Sequence, residues 1–210
     1  MIDLPKATLV RRRLPKETVY RNLVLTSAVK EKFVSDVEAI FIENSLTAAN
    51  LNLGESSGVE EILVVLVKLK TGKCDDRILE VLARENPHKL VFLLEHENLR
   101  QLALYYGRLY KTDWMNESEI QLNARGLTLE QIYEGFVEQI ALGNEQATNV
   151  EHLSIAQRLK LQDRIVKLQA EIRKLENETW KEPQPRRKYE KFEKVKKMSE
   201  EVEKLKRGEI

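Results

Sequence analysis

Residues 60–70 read EEILVVLVKLK. Six apolar side chains, Ile62 to Val67, stand between a pair of glutamates and Lys68, and four of the six are β-branched. Such side chains suit the pleated surface of a sheet and lose rotamer freedom in a helix. A strand with one face in water alternates apolar and polar residues. This run does not alternate, so both of its faces need covering. The stretch predicts a central strand, and its neighbours must supply partner strands and the layers above and below.

Upstream, EAIFIENSL (38–46) alternates, with Ile40 and Ile42 on one face, and NLGESSG (52–58) supplies turn residues between the two strands. TSAVKEKFVSDVEA (26–39) spaces Val29, Phe33 and Val37 four apart behind Thr26 and Ser27, which predicts a capped amphipathic helix. Downstream, DDRILEVLAREN (75–86) predicts a helix with Ile78, Leu79, Val81 and Leu82 inside, ended near Pro87. KLVFLLEH (89–96) reads as a third strand and LRQLALYYGRLY (99–110) as its hairpin partner. Helix, strand, strand, helix, strand, strand predicts an α+β domain, a largely antiparallel sheet with flanking helices.

GLTLEQIYEGFVEQIALG (126–143) adds a helix with Thr128 and Gln131 spaced as a capping box, Ile132, Phe136 and Ile140 four apart, and Gly143 at its end. Pro5, Pro15 and Arg11–Arg13 predict an extended basic arm over residues 1–25, since proline and its predecessor resist the α region. The α+β domain is assigned to 26–146, and NEQATNVEH (144–152) reads as a polar connector.

Beyond it the period changes. Leu161, Ile165, Leu168, Ile172 and Leu175 are spaced four, three, four, three, and Val195, Met198, Val202 and Leu205 three, four, three. Both are coiled-coil seams, each too short to stand alone. Pro183 and Pro185 interrupt them. The region 154–208 is therefore expected to be a helical coiled-coil appendage with a hinge near 183–185, its seams meeting within one chain or between two in a homodimer.

Of the 210 residues 33% are charged, yet the net charge is +1. Residues 151–210 hold 17 Lys+Arg against 12 Asp+Glu, and residues 1–150 hold 18 against 22. An acidic body carries a basic tail, which suits an anionic partner. Cys74 is the only cysteine, so no intrachain disulfide forms and a reducing cytoplasm is the expected location. The apolar run 62–67 is far too short for a bilayer, and no membrane contact is expected.

Chemistry-bearing motifs are sparse. His88, His96 and His152 show no ligand spacing with one another or with Cys74, so neither a metal nor a cofactor is expected. No phosphate loop, dinucleotide fingerprint or nucleophile elbow occurs. A metal-dependent nuclease needs two acids for Mg²⁺ and a lysine near the attacked phosphate. Asp36, Glu43, Glu61 and Lys68 or Lys70 are of the right types, but Leu66 and Lys68 stand where an acid would precede each lysine by two. The tail offers more: residues 181–207 hold eleven Lys+Arg against six Glu, with Tyr189 and Phe192 interleaved and Trp180 just before. Cations neutralise phosphates and aromatic rings stack on bases. Arg186, Arg187 and Lys188 stand together undiluted by acid, as do Arg11, Arg12 and Arg13.

LPKATLVRRRLPKETVY, VEAIFIENSLTAANLNL, EILVVLVKLK, NPHKLVFLLEH and RRKYEKFEKVKKMSEEVEKLKRG, in that order, cover nearly the whole chain. Together they resemble the prokaryotic domain-of-unknown-function family 4391. The resemblance implies no established activity. It implies companions, since members of the family look like partners of helicases and DNA methyltransferases in restriction or phage-defence loci. Asp36, Asn52, Glu61 and Lys70 match polar positions of the family pattern, whereas Ser45 and Gly107 stand where lysines are expected. A catalytic role resting on those lysines would be lost here.

The expected function is thus a non-catalytic accessory or adaptor protein working with DNA-processing enzymes, contacting nucleic acid through its basic clusters. One competing class is a divergent or degenerate nuclease using Asp36, Glu61 and Lys70. Another is a purely structural interaction module whose tail touches no nucleic acid.

Overall fold

In chain order the first part of the protein forms strand β1 (Leu9–Leu14), helices α1 (Lys16–Asn22) and α2 (Ser27–Asp36), strand β2 (Val37–Thr47), the single turn α3 (Ala48–Leu51), strand β3 (Glu61–Leu69), helix α4 (Asp76–Glu85), strands β4 (Lys89–His96), β5 (Leu99–Tyr106), β6 (Arg108–Lys111) and β7 (Met115–Asn116), and helix α5 (Leu129–Val137). Two long helices follow, α6 (Ile155–Lys181) and α7 (Pro185–Lys206). The computed structural model describes residues 2, 4–22, 25–54, 58–143 and 153–208. The connector expected at 144–152, with His152, lies outside the described residues. The chain divides into two units, Met1–Ala141 and Leu142–Ile210.

The sheet runs β1-β2-β3-β4-β5-β6, with β7 also on β5. The apolar run Ile62–Val67, in β3, lies in its middle. Leu63, Val65, Val67 and Leu69 enter a core with Ile40 and Ile42 of β2, Phe92 and Leu94 of β4, and the helix residues Val29, Phe33, Ile78 and Leu79. Ile62, Val64 and Leu66 on the opposite face are buried too, and α5 lies against β3. Both faces are covered, as the unbroken apolar run requires.

Every pairing in this mostly antiparallel sheet is antiparallel except β3 with β4, which is parallel and in register from Ile62↔Lys89 to Lys68↔Glu95. The crossover α4 carries the chain back along the sheet before β4 begins, and that return makes two successive strands parallel. The predicted partner strand at 99–110 is two strands instead. Gly107, at φ 74°, folds the chain so that Tyr106 pairs with Arg108.

The first 25 residues differ most from expectation. They are extended over β1, but this strand is the edge of the sheet, paired with β2 through Leu14↔Ile40, Arg13↔Phe41 and Arg12↔Ile42. The segment before it is tied down as well: buried Asn44 donates from Nδ2 to Thr8 Oγ1 at 2.8 Å. Pro15 precedes a helix, α1, because the first turn needs no N–H from it. No local period reveals a strand that contains three consecutive arginines.

In the second unit Ser154 caps α6 through a reciprocal box with Gln157. Pro183 holds Glu182 out of the α region, at φ −76° and ψ 117°, and α7 restarts with Pro185 in its first turn. The two helices pack on each other antiparallel about this turn. Leu161 and Ile165 bury against Val202 and Leu205, flanked by Leu168 and Ile172. Leu175, Val195 and Met198 are half-buried. Arg164 pairs with Glu201 near one end and Lys191 with Glu182 at the other.

Candidate nucleic-acid interface

The end of the helical pair where α6 turns into α7 gathers the tail's cations and aromatics. Glu182, released from the helix by Pro183, accepts from Lys191 Nζ at 3.2 Å and from the Gln184 N–H at 3.4 Å. Lys191 first, then that N–H, hold its carboxyl below the usual carboxylate range. Lys191 also approaches Glu178 at 3.9 Å, so this lysine secures the turn. Arg186, its side chain 93% exposed, reaches Glu190 one turn on at 3.4 Å. Lys188 sits 5.6 Å above the ring of Trp180. Trp180 is 80% exposed, Tyr189 65% and Phe192 58%. Three aromatic rings in water beside Arg186, Arg187 and Lys188 form a surface that can meet phosphate oxygens with cations and flat apolar faces with rings.

The second basic cluster is not a single patch. Arg12 and Arg13 are successive residues of β1 and face opposite sides of the sheet. Arg11 occupies a bulge at φ 50° and lies 3.9 Å from Glu43. This cluster belongs to the first unit and the turn cluster to the second.

The nuclease candidates do not converge as a set: the Lys70 N–H donates to the Asp36 carbonyl at 2.9 Å, but Glu61 stands apart from both. Glu61 opens β3 and Lys70 follows its end, a separation of roughly 30 Å at the rise of an extended chain. Lys70 Nζ donates to the Val34 carbonyl at 2.7 Å, near the end of α2, where a cation complements the helix dipole. Asp36 accepts from the Asp75 N–H at 3.1 Å and thereby joins α2 to the start of α4. Glu61 accepts from the Ser45 hydroxyl and lies 3.3 Å from His88 Nε2. In that trio the carboxylate stands between serine and histidine, whereas a nucleophilic triad needs the histidine in the middle. Among the described residues no three His, Cys, Asp or Glu side chains are grouped to hold a metal.

Sequence reasoning missed a second polar region. Lys68 meets Glu95 at 3.1 Å across β3 and β4, and Arg100 on β5 meets Glu95 at 2.9 Å and Glu117 at 3.6 Å. Glu95, Arg100 and Glu117, with Leu66, Leu93, Arg11 and Glu43, line a cavity of about 560 Å³. Lys68 and Arg100 are engaged by carboxylates, and the group depends on the parallel register of β3 with β4. No local spacing announces it. The Trp180–Lys188 contact also bridges two helices, although Trp180 and its distance from the prolines were visible.

A family model described as Domain of unknown function (DUF4391) matches residues 2–202. No curated protein and no solved structure matches the chain.

Proposed function

Because the chain belongs to the DUF4391 family, whose description names no activity, we propose its function from its own surfaces: an accessory or adaptor protein that contacts nucleic acid through the turn between α6 and α7 while a DNA-processing enzyme performs the chemistry. The observation that carries this is the exposed cluster of Arg186, Arg187 and Lys188 beside Trp180, Tyr189 and Phe192. The helical pair serves as an antiparallel coiled coil that holds the cluster at its end. Its seam residues occupy the spacing such a coil uses, and the buried set Leu161, Ile165, Val202 and Leu205 supports it. The companions suggested by the resemblance, a helicase or a DNA methyltransferase of a restriction or phage-defence locus, supply a partner class.

Replacing Arg186, Arg187 and Lys188 together with alanine tests the proposal. Binding of a labelled oligonucleotide should weaken with helicity unchanged. Its salt dependence should flatten by about 2.7 in log–log slope for duplex and about 2.1 for single strands, three phosphate contacts in each case. Binding as tight as wild type would leave the tail a solvated face and the structural-module reading in its place. Metal-dependent cleavage by the purified protein, abolished by Glu61→Gln, would restore the nuclease.

A further inference from the structure

Where three, four, three spacing is extended backward from Val195, the next seam positions are residues 191 and 188, both lysine. The structure uses both inward: Lys191 reaches Glu178 and Glu182, and Lys188 covers Trp180. Tyr189 and Phe192 each stand one residue past a seam position, which turns them about 100° around the helix, away from the partner helix. They are consequently 65% and 58% exposed, and three residues apart they share one face of α7. Every aromatic among the large exposed hydrophobic side chains of the described residues lies at this turn: Trp180, Tyr189 and Phe192.

A coiled-coil exterior has no use for such rings, because Glu and Lys solvate it better. Duplex DNA has none either. Its backbone is gripped by cations and hydrogen-bond donors, and its base faces are stacked inside. Unpaired bases do offer faces, and stacking them on an aromatic side chain returns the apolar contact that these rings lack. Lys188 lies over one side of the Trp180 ring, and at 80% exposure the indole retains open surface for a base. The phosphates then run past Arg186, Arg187 and Lys188, with Glu190 and Glu182 as the carboxylates to be displaced or skirted.

We infer that the turn between α6 and α7 is a single-strand-binding site, in which unpaired bases stack on Trp180, Tyr189 and Phe192 and the backbone is held by Arg186, Arg187 and Lys188. The inference rests on the nucleic-acid contact proposed above and adds the substrate class. The sequence tolerance of stacking makes the site one for strand exposure, not for a particular base order.

The test uses the full chain with a labelled oligo(dT) strand and a duplex of the same length, by fluorescence anisotropy at two salt concentrations. The single strand should bind at least tenfold more tightly. Trp180→Ala should weaken single-strand binding about 5- to 150-fold, the range one stacked base carries, with the salt slope unchanged. Binding should quench the tryptophan fluorescence of the wild type, and Trp180→Phe should retain most of the affinity while abolishing that quenching, since Trp114 packs against the core of the first unit. Helicity by circular dichroism should match wild type in both variants, as the side chain is 80% exposed. Equal binding of duplex and single strand, with Trp180→Ala affecting neither and the triple alanine variant weakening both, would overturn the stacking site and leave the phosphate contact standing. Binding to neither form would overturn both, and the aromatics would then belong to a protein-docking surface.

Discussion

Gly126 and Gly107 are both glycines at positive φ, and they show how differently one residue type is required. At Gly107, φ 74°, a Cβ would meet nothing within 4 Å. Alanine there would cost about 1–2 kcal/mol, the strain of a left-handed backbone alone. At Gly126, φ 154°, a Cβ would lie 2.8 Å from Gln131 Cβ and 3.0 Å from the Ile132 nitrogen. Backbone strain and overpacking would then add, and Gly126→Ala should cost about 3 kcal/mol or more. Urea unfolding of the two variants should rank them in that order, and equal midpoints would refute the close approach. Nearby, Thr128 caps α5 by accepting from the Gln131 N–H, as its spacing predicts, while Gln131 Oε1 accepts from the Leu127 N–H, one residue outside a regular capping box. Spacing located the cap; the path of the preceding loop around Gly126 decided which N–H it serves.

Among the elements, β3 and the α6–α7 pair carry the sharpest expectations. Val65 is 5% exposed and lies between Ile42 of β2 and Phe92 of β4. Val65→Asp places an unpaired carboxylate there and should destabilise the protein by more than about 3 kcal/mol. Near-normal thermal stability of that variant would contradict a central β3. In the helical pair, Ile165 is 3% exposed and Ile172 flanks the same cluster. The variant Ile165→Asp/Ile172→Asp should lose helical ellipticity although Arg186, Arg187 and Lys188 are all retained, the reverse of the triple alanine change at the turn. Unchanged ellipticity would mean that the seam contributes nothing. The long elements were legible because each has a period: four-residue steps in α2 and α5, alternation in β2, and an unbroken apolar run in β3. β1 was not, because its arginines suppress the apolar pattern and its partners in β2 lie 26 to 35 residues further along the chain.

For the whole molecule, stability should decline on the alkaline side. Burial pushes the Cys74 thiol from 9.0 to about 12, with Asp36 and Asp76 adding to it. Burial likewise pushes the Tyr133 hydroxyl, which donates to the Tyr105 carbonyl at 3.0 Å, from 10.0 to about 12. Folding keeps both groups protonated. Their contribution is fully present below pH 9 for the thiol and pH 10 for the phenol, and is lost as pH climbs toward 12. Unfolding free energy should therefore fall over that window. Cys74→Ala should flatten the fall from pH 9 upward, and Tyr133→Phe should flatten it only from pH 10. A pH profile unchanged in both variants would show that neither group is held neutral by the fold. Cys74 should also resist thiol reagents near pH 8 in the folded protein.

The sequence by itself determined the central strand, the two long helices and the prolines between them, the antiparallel bias of the sheet, and the residues of the basic turn. These are local properties: hydrophobic period, rotamer preference, capping and charge act between residues close along the chain. Among the described residues no helix is long and apolar enough to cross a membrane, which the same local reading had indicated. The tertiary structure alone decided that β1 belongs to the sheet, that β3 and β4 run parallel, and that Lys188 lies over Trp180. Each of these depends on which distant segments meet. Such a meeting is set by the sum of many small burial and pairing energies over the whole core, and no short window of residues contains it.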